Sequence, residues 1–300
     1  MSDVSATTIS TTQEARVSDY FALLKPKVMS LVVFSGFAGL WVAPQAGDLH
    51  PVLAITAMIC LAVNAGAAGA INMWFDRDID AVMKRTKNRP LPKGIVDPDE
   101  ALSFGIVLSV LSVMTMGVAL NWTAAALLAF ANVFYVVVYT IWLKRLTPQN
   151  IVIGGAAGAF PPMIGWAAVT GDITAASIAL FAIIFFWTPP HFWALALFAN
   201  EDYKRAKVPM LPVTHGEKHT KLQMLVYSIL MVPVSVSPYF LGVSGIGYLA
   251  SAALLSLFFV YTAVRVFLEA EGNYKSAKLM FGYSVFYLFA IFLALMIDKV

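Results

Sequence analysis

The sequence predicts an all-α polytopic membrane protein, a bundle of about nine transmembrane helices around a central cavity that opens to the cytoplasmic side. Of its 300 residues, 60% are hydrophobic and only 12% are charged, which is not the composition of a soluble domain. A transmembrane helix needs about 20 apolar residues. Nine stretches approach that length, at residues 28–44, 53–75, 101–121, 123–143, 151–169, 174–198, 223–242, 246–267 and 279–297.

The distribution of basic residues supports the same topology. Nine spans place alternate loops on opposite sides of the membrane, and 19 of the 20 Lys and Arg residues then fall on the side of the N-terminus. Only Lys299 falls on the other side. Because cytoplasmic loops carry an excess of Lys and Arg, we expect the N-terminus and the polar loops to lie in the cytoplasm.

The first residues differ in composition from the rest of the chain. Residues 1–20 are rich in Ser and Thr and contain no apolar core, so they fit neither a secretory signal nor a typical transit peptide. We interpret them as a disordered polar tail and residues 21–300 as a single transmembrane domain. Such a domain contacts membrane lipids, and no nucleic-acid partner is expected.

The strongest candidate site lies where the second span ends. Asn72, Asp76 and Asp80 follow one another at intervals of four, so on a helix they share nearly one face, while Asp78 falls on the other side. Oxygen donors without nearby Cys or His suit Mg²⁺, whose coordination is often completed by substrate phosphates. A solvated acidic helix end would carry the same spacing. The basic, Pro-rich loop at residues 84–92 favours the metal site.

The next spans carry unusual prolines. Asp97 before Pro98 predicts a helix start, so we assign the nearby acids a structural role. Lys144 and Arg145 end the fourth span at the membrane edge. Spans five and six contain the Pro-Pro pairs 161–162 and 189–190. Prolines inside spans free carbonyls that protein or a water-filled cavity must satisfy, which predicts a cavity between these two spans.

His191 is the only His inside a span, and ionisable groups at membrane depth are functional candidates. A neutral imidazole bonded to a carbonyl freed by the prolines is the structural alternative. The second polar loop contains Asp202 and Lys207. Together with the first loop it could hold a diphosphate, which the acids would bind through a metal ion and the basic residues by direct contact. His215 and His219 lack a third ligand, so no zinc site is expected there.

Two strings, Asn72-x-x-x-Asp76-x-x-x-Asp80 and Arg85-Thr-x-x-Arg89-Pro, resemble the first Asp-rich motif of the UbiA-type intramembrane prenyltransferases. These helical-bundle enzymes attach polyprenyl chains to acceptors. The segments 87–92, 147–155, 160–166 and 187–196 are similar to those of family members that farnesylate heme b. The most specific is Trp187-Thr-Pro-Pro-His-Phe-Trp-Ala-Leu-Ala, and the resemblance runs from about Lys25 to the last span.

The resemblance implies transfer of farnesyl from farnesyl diphosphate to a vinyl group of heme b, in the inner membrane of a bacterium. The products would be diphosphate and heme O, which carries a hydroxyethylfarnesyl side chain. Partner enzymes of heme A or oxidase assembly are not identified by it. Many relatives carry a second D-x-x-x-D motif from the position of Asp202, whereas position 206 is Ala in this chain.

The resemblance also assigns roles by position. Asn72, Asp76, Asp80 and Asp202 would bind Mg²⁺, or Mn²⁺, which also favours oxygen ligands. The catalytic residues would be Asp76, Asp80 and His191. His191 would bind heme as an iron ligand or transfer a proton during hydration of the vinyl group. The cations assigned to the leaving diphosphate are Arg85, Arg89, Lys144, Arg145 and Lys207.

Two alternatives stay open. A prenyltransferase acting on a quinone precursor or a chlorophyll-type acceptor would share the Asp residues, so the acceptor rests on the Pro-Pro-His and Thr-Pro-Gln-Asn strings. A secondary transporter would line an ion path with acids and broken helices. The carboxylates sit at span ends on one side and none lies near a span midplane, which disfavours transport.

Overall fold

The computed structural model describes residues 15–300, apart from the side chains of residues 27 and 28. Within that part of the chain, eight helices are long and apolar enough to cross a membrane, and a shorter apolar helix precedes them. The helices are α1 (Val17–Leu23), α2 (Pro26–Val42), α3 (Pro51–Phe75), α4 (Arg77–Val82), α5 (Pro98–Ala119), α6 (Trp122–Val133), a π-helix (Phe134–Leu143), α7 (Asn150–Thr170), α8 (Ala175–Phe198), α9 (Asn200–Arg205), α10 (Leu211–Thr214), α11 (Gly216–Phe240), α12 (Ile246–Leu268) and α13 (Lys275–Ile297).

The predicted fold class, an all-α integral membrane protein, is confirmed. Each predicted span coincides with α2, α3, α5, α6 with its π-helix, α7, α8, α11, α12 or α13. The largest difference is at α11, which begins at Gly216 rather than at residue 223. Its first turns are too polar for hydropathy to detect, yet Lys221 is buried there and donates a hydrogen bond to the Glu269 carbonyl at 2.9 Å.

The predicted boundary between the tail and the transmembrane domain, at residue 20, falls inside a helix. Residues 1–14 lie outside the described part, but Val17 to Tyr20, assigned to the tail from the sequence, belong to α1. Long-range contacts explain the difference. The Tyr20 hydroxyl donates a hydrogen bond to Glu100 at 2.5 Å, and Leu23 is buried in a cluster with residues of α3 and α5.

α2 and α7 cross with their backbones in direct contact. A Cβ atom added at Gly39 would lie 2.0 Å from the Pro162 carbonyl oxygen, and one at Gly165 would lie 1.9 Å from that of Gly36. Small residues allow such close approach in membranes. The two helices also belong to both large apolar cores, one shared with α8, α11, α12 and α13, the other with α3, α5 and α6.

The one basic residue predicted on the opposite side has a structural partner. Lys299 donates from Nζ to the carbonyls of Trp41 and Ala43, at 2.8 and 3.2 Å, where α2 ends. Its neighbour Asp298 accepts a hydrogen bond from the backbone N–H of Tyr248 at the start of α12, at 2.7 Å. Both side chains therefore satisfy backbone groups that helix ends leave unpaired.

Candidate active site

The two polar loops meet at one end of the bundle. A buried cluster that includes Ile79, Met83, Tyr203 and Met210 packs the segment after α3 against the segment after α8. A cleft of about 400 Å³ opens beside it, and its walls are formed by Lys84, Phe198, Ala199, Glu201, Asp202 and Arg205. The structure thus places next to each other the two regions where the sequence concentrates acids and bases.

The spacing of the acidic residues is maintained across the junction of α3 and α4. The N–H of Asp76 donates to the Asn72 carbonyl at 2.9 Å, and the N–H of Asp80 donates to the Asp76 carbonyl at 2.8 Å. The side chains of Asn72, Asp76 and Asp80 are buried, whereas the Asp78 side chain is 61% exposed. Asn72 Nδ2 also donates to Asp76 Oδ2 at 2.7 Å.

Basic residues pair with each of these carboxylates. Lys144 Nζ pairs with Asp76 Oδ2, and Arg89 Nη1 lies 2.5 Å from Asp80 Oδ2. Arg145 donates two hydrogen bonds to Asp78, at 2.7 and 2.8 Å, which lower the pKa of that carboxyl below its ordinary value. The same guanidinium lies 3.7 Å from Asp76 Oδ1. Three of the predicted diphosphate ligands are therefore gathered around the acids.

Lys25 belongs to this cluster, although the sequence only placed it near the headgroups. Its Nζ donates to Asn72 Oδ1 at 2.7 Å. The residue links α1 to α2 in a left-handed conformation (φ 53°), which turns the chain sharply before Pro26. Burial, and then the positive charges of Arg89 and Lys144, lower the pKa of Lys25 to about 7. No local pattern signals a contact 47 residues away in sequence.

The π-helix was not predicted, and it positions Lys144. Tyr135 and Lys144 are nine residues apart, which is about 2.5 turns of an α-helix and would place them on opposite faces. At about 4.4 residues per turn, a π-helix separates them by about two turns and places them on one face. Thr140 lies between them and accepts a hydrogen bond from Asn72 Nδ2 at 3.1 Å. π-Helical turns are rare in proteins, and those inserted in α-helices are frequently found at functional sites.

A glycine of α7 makes room for an aromatic ring beside the cluster. A Cβ atom added at Gly154 would lie 2.0 Å from Cδ2 of Tyr139, so only glycine allows the ring to lie there. Tyr139 also packs against Tyr135, with 5.4 Å between ring centroids and an angle of 31° between the ring planes. The Gly154-Gly155 string of the sequence thus has a direct role in shaping the site.

The donor chemistry of the cluster fits a hard divalent cation. Asp76 Oδ1 is buried and has no hydrogen bond among the described residues, a costly state for a carboxylate oxygen. Across residues 15–300, however, no three His, Cys, Asp or Glu side chains are grouped closely enough to hold one metal ion. Asp202 pairs instead with Arg205, three residues away in α9. Its role as a metal ligand remains a prediction.

The other two predicted diphosphate ligands do not belong to this group of ion pairs. Arg85 and Lys207 are exposed, and neither forms an ion pair with a described residue. They are free to meet an anion that approaches from the aqueous side.

His191 lies within α8, where its ring contacts aromatic side chains and a serine. Its ring is stacked between Trp187 and Phe281, with centroid distances of 4.3 and 4.7 Å, and its Nδ1 lies 2.6 Å from Ser284 Oγ of α13. The hydrogen-bond partner is therefore a hydroxyl of another helix and not a carbonyl freed by Pro189 or Pro190. Sequence reasoning identified the histidine but missed Ser284.

Comparison with known proteins is consistent with this architecture. Residues 32–285 match the UbiA prenyltransferase family. A protoheme IX farnesyltransferase of Rhizobium johnstonii is 58% identical over 95% of this chain and 90% of its own length, and one of Parvibaculum lavamentivorans is 58% identical over 94% and 88%.

Solved structures share the fold at low sequence identity. A UbiA homolog from Archaeoglobus fulgidus bound to DMAPP and Mg²⁺ superposes with a TM-score of 0.68 at 17% identity, covering 92% of this chain and 99% of that one. The apo UbiA homolog from Aeropyrum pernix K1 gives a TM-score of 0.63 at 17% identity, with coverages of 91% and 96%.

Proposed function

The chain belongs to the UbiA prenyltransferase family, and from this we propose that it transfers the farnesyl group of farnesyl diphosphate to a vinyl group of heme b. One water would be consumed to supply the hydroxyl group, and heme O and diphosphate would be the products. The observation that carries the choice of acceptor is the 58% identity, over nearly the full length, to relatives named protoheme IX farnesyltransferase.

We assign the diphosphate end of the reaction to the buried acids and their cations. Asn72, Asp76 and Asp80 would hold Mg²⁺, or Mn²⁺, with Asp202 reaching the same ion from the second loop. The buried Oδ1 of Asp76, which accepts no hydrogen bond from a described residue, and the all-oxygen donor set support this assignment. When bound, the divalent ion would neutralise negative charge on the departing diphosphate.

The chain's own cations would share that task. Lys25, Arg89, Lys144 and Arg145 surround the acids, and each can donate hydrogen bonds to phosphate oxygens. The exposed side chains of Arg85 and Lys207 would attract the anionic substrate from the aqueous side. The acids keep these cations oriented, so little reorganisation is needed when the charge develops.

The apolar surroundings suit an allylic cation. When the carbon–oxygen bond to diphosphate breaks, positive charge develops on the farnesyl group. The neighbouring rings of Tyr135 and Tyr139 lie on the face of the π-helix that carries Lys144, where a cation–π contact could stabilise this charge. Exclusion of water by the packed helices would protect the cation from premature capture.

His191 would serve the acceptor. Its buried ring in α8 would bind the heme whose vinyl group is alkylated, while the acids and cations act on the diphosphate. We further propose that the polar loops face the cytoplasm in a bacterial inner membrane, in accord with the distribution of Lys and Arg. Cysteines placed at Lys93 and Lys299 test this: a membrane-impermeant maleimide added to intact cells should label only position 299.

The proposed reaction is tested by mass spectrometry of products. Detergent-purified protein would be incubated with heme b, farnesyl diphosphate and Mg²⁺, with a parallel sample containing EDTA. We expect a farnesylated, hydrated heme that forms only without EDTA. Unmodified heme, together with diphosphate release when quinone precursors are supplied, would assign a different acceptor.

A further inference from the structure

Ser284 of α13 forms hydrogen bonds through both its backbone and its side chain, and one of them is to His191. Its carbonyl accepts a hydrogen bond from Trp187 Nε1 at 2.8 Å. Its Oγ lies 2.6 Å from the Phe281 carbonyl and 2.6 Å from His191 Nδ1. Ser284 is 0% exposed, so water cannot replace any of these partners.

Counting protons fixes the direction of each bond. A serine hydroxyl has one proton, and a carbonyl oxygen can only accept. The Ser284 hydroxyl therefore donates to Phe281 and must accept from His191. The proton of the neutral imidazole then resides on Nδ1, and Nε2 carries a lone pair.

The surroundings also fix the orientation of the ring. Trp187 and Phe281 cover its two faces, with interplanar angles of 17° and 21°, and Phe192 meets it edge-on. With both faces covered and Nδ1 bonded to Ser284, the nitrogen that remains for a ligand is Nε2, on the opposite edge of the ring. Axial ligation of a metalloporphyrin uses this edge of a neutral imidazole.

We propose that Ser284 is a positioning residue that holds His191 in the Nδ1-protonated tautomer, so that Nε2 binds the iron of the heme substrate. The inference rests on the proposed function and chooses between the two roles open to His191. An Nε2 without a proton cannot act as the acid that protonates the vinyl group. Partners of the distal ring nitrogen commonly orient metal-binding histidines in this way.

Heme binding and resonance Raman spectroscopy test the proposal. Wild type, Ser284→Ala, Ser284→Thr and His191→Ala would be titrated with heme b, with Ser228→Ala as the matched control. Ser228 is equally buried, but its hydroxyl donates only to Met224 in its own helix, at 2.7 Å. Melting temperatures would verify that each variant is folded.

We expect Ser284→Ala to weaken heme affinity about tenfold or more and to lower the iron–nitrogen stretching frequency of ferrous heme. The frequency should fall because Nδ1–H loses the acceptor that makes the imidazole a stronger ligand. Ser284→Thr, which keeps the hydroxyl, should restore both properties, and Ser228→Ala should change neither. A purely structural role would not move the stretching frequency.

Two results would overturn the inference. In the first, Ser284→Ala and Ser228→Ala have the same affinity and frequency. In the second, His191→Ala binds heme with the wild-type spectrum. Neither result affects farnesyl transfer measured by product mass. Conversely, a wild type that binds heme through His191 but forms no farnesylated heme would refute the proposed function and leave the positioning role intact.

Discussion

Asp76 and Asp78 provide a test in which one carboxylate should be essential and its neighbour dispensable. Both lie within reach of Arg145, at 3.7 and 2.7 Å, and both sit at the start of α4. They differ in burial: the Asp76 side chain is 1% exposed and that of Asp78 is 61% exposed. Replacing either one with Asn removes one charge at nearly constant volume.

The expected magnitudes follow from this difference. At 3.7 Å and an effective dielectric constant of about 20, the attraction between Asp76 and Arg145 is about 4 kcal/mol before desolvation. Asp76 would act through the divalent ion and through the cations that it orients, and losing one such preorganised electrostatic contribution typically lowers kcat by about 10²- to 10³-fold. An exposed pair contributes about 1 kcal/mol or less, so Asp78→Asn should change kcat by about fivefold at most.

The assay separates turnover from binding. Because four cations remain in Asp76→Asn, we expect its affinity for farnesyl diphosphate to change far less than kcat. The Mg²⁺ concentration for half-maximal turnover should rise in this variant but not in Asp78→Asn. If Asp76→Asn retained turnover within about fivefold of Asp78→Asn, at an unchanged Mg²⁺ requirement, our assignment of the metal site would be wrong.

Three further changes test other parts of the site. Gly154→Ala should lower turnover at least about tenfold, since its Cβ would lie 2.0 Å from the Tyr139 ring. The control Gly158→Ala should leave turnover unchanged, because a Cβ atom added there has no neighbour within 4 Å. Equal activities of the two variants would contradict this. Lys25→Met should raise KM for farnesyl diphosphate about tenfold by removing a charge-assisted hydrogen bond to the diphosphate. An unchanged KM in steady-state kinetics would show that Lys25 does not bind this substrate. Lys299→Ala should lower stability in detergent by about 1 kcal/mol, seen as a lower Tm with unchanged activity per folded molecule; an unaltered Tm would show that this cap is not stabilising.

Much of the fold was predictable because membrane helices follow local rules. Apolar length located the helices, and the distribution of Lys and Arg supported their number. The spacing of Asn72, Asp76 and Asp80 survived the break between α3 and α4, since the backbone bonds that set it continue through Asp76. Hydropathy failed at Val17–Leu23 and at the start of α11, where contacts with distant residues stabilise polar or short helices.

The site's remaining parts depend on contacts that no local pattern encodes. Lys25 reaches Asn72 through a left-handed turn, and the π-helix changes which residues share a face with Lys144. Ser284 meets His191 from a helix 93 residues further along the chain. Asp202 is the opposite case. The resemblance assigns its carboxylate to the metal site, but in the structure it pairs with Arg205, three residues away.

The seam between α2 and α13 has a consequence for how the protein is made. Phe34 stacks on Phe289 with 4.7 Å between centroids, and the Trp41 indole donates to the Met296 carbonyl at 3.3 Å. Ribosomes add roughly 5–20 residues per second, so α2 emerges tens of seconds before its partner. During that interval Phe34 and Trp41 lack their partners on α13, and the contact between the first and last long helices forms only when α13 inserts.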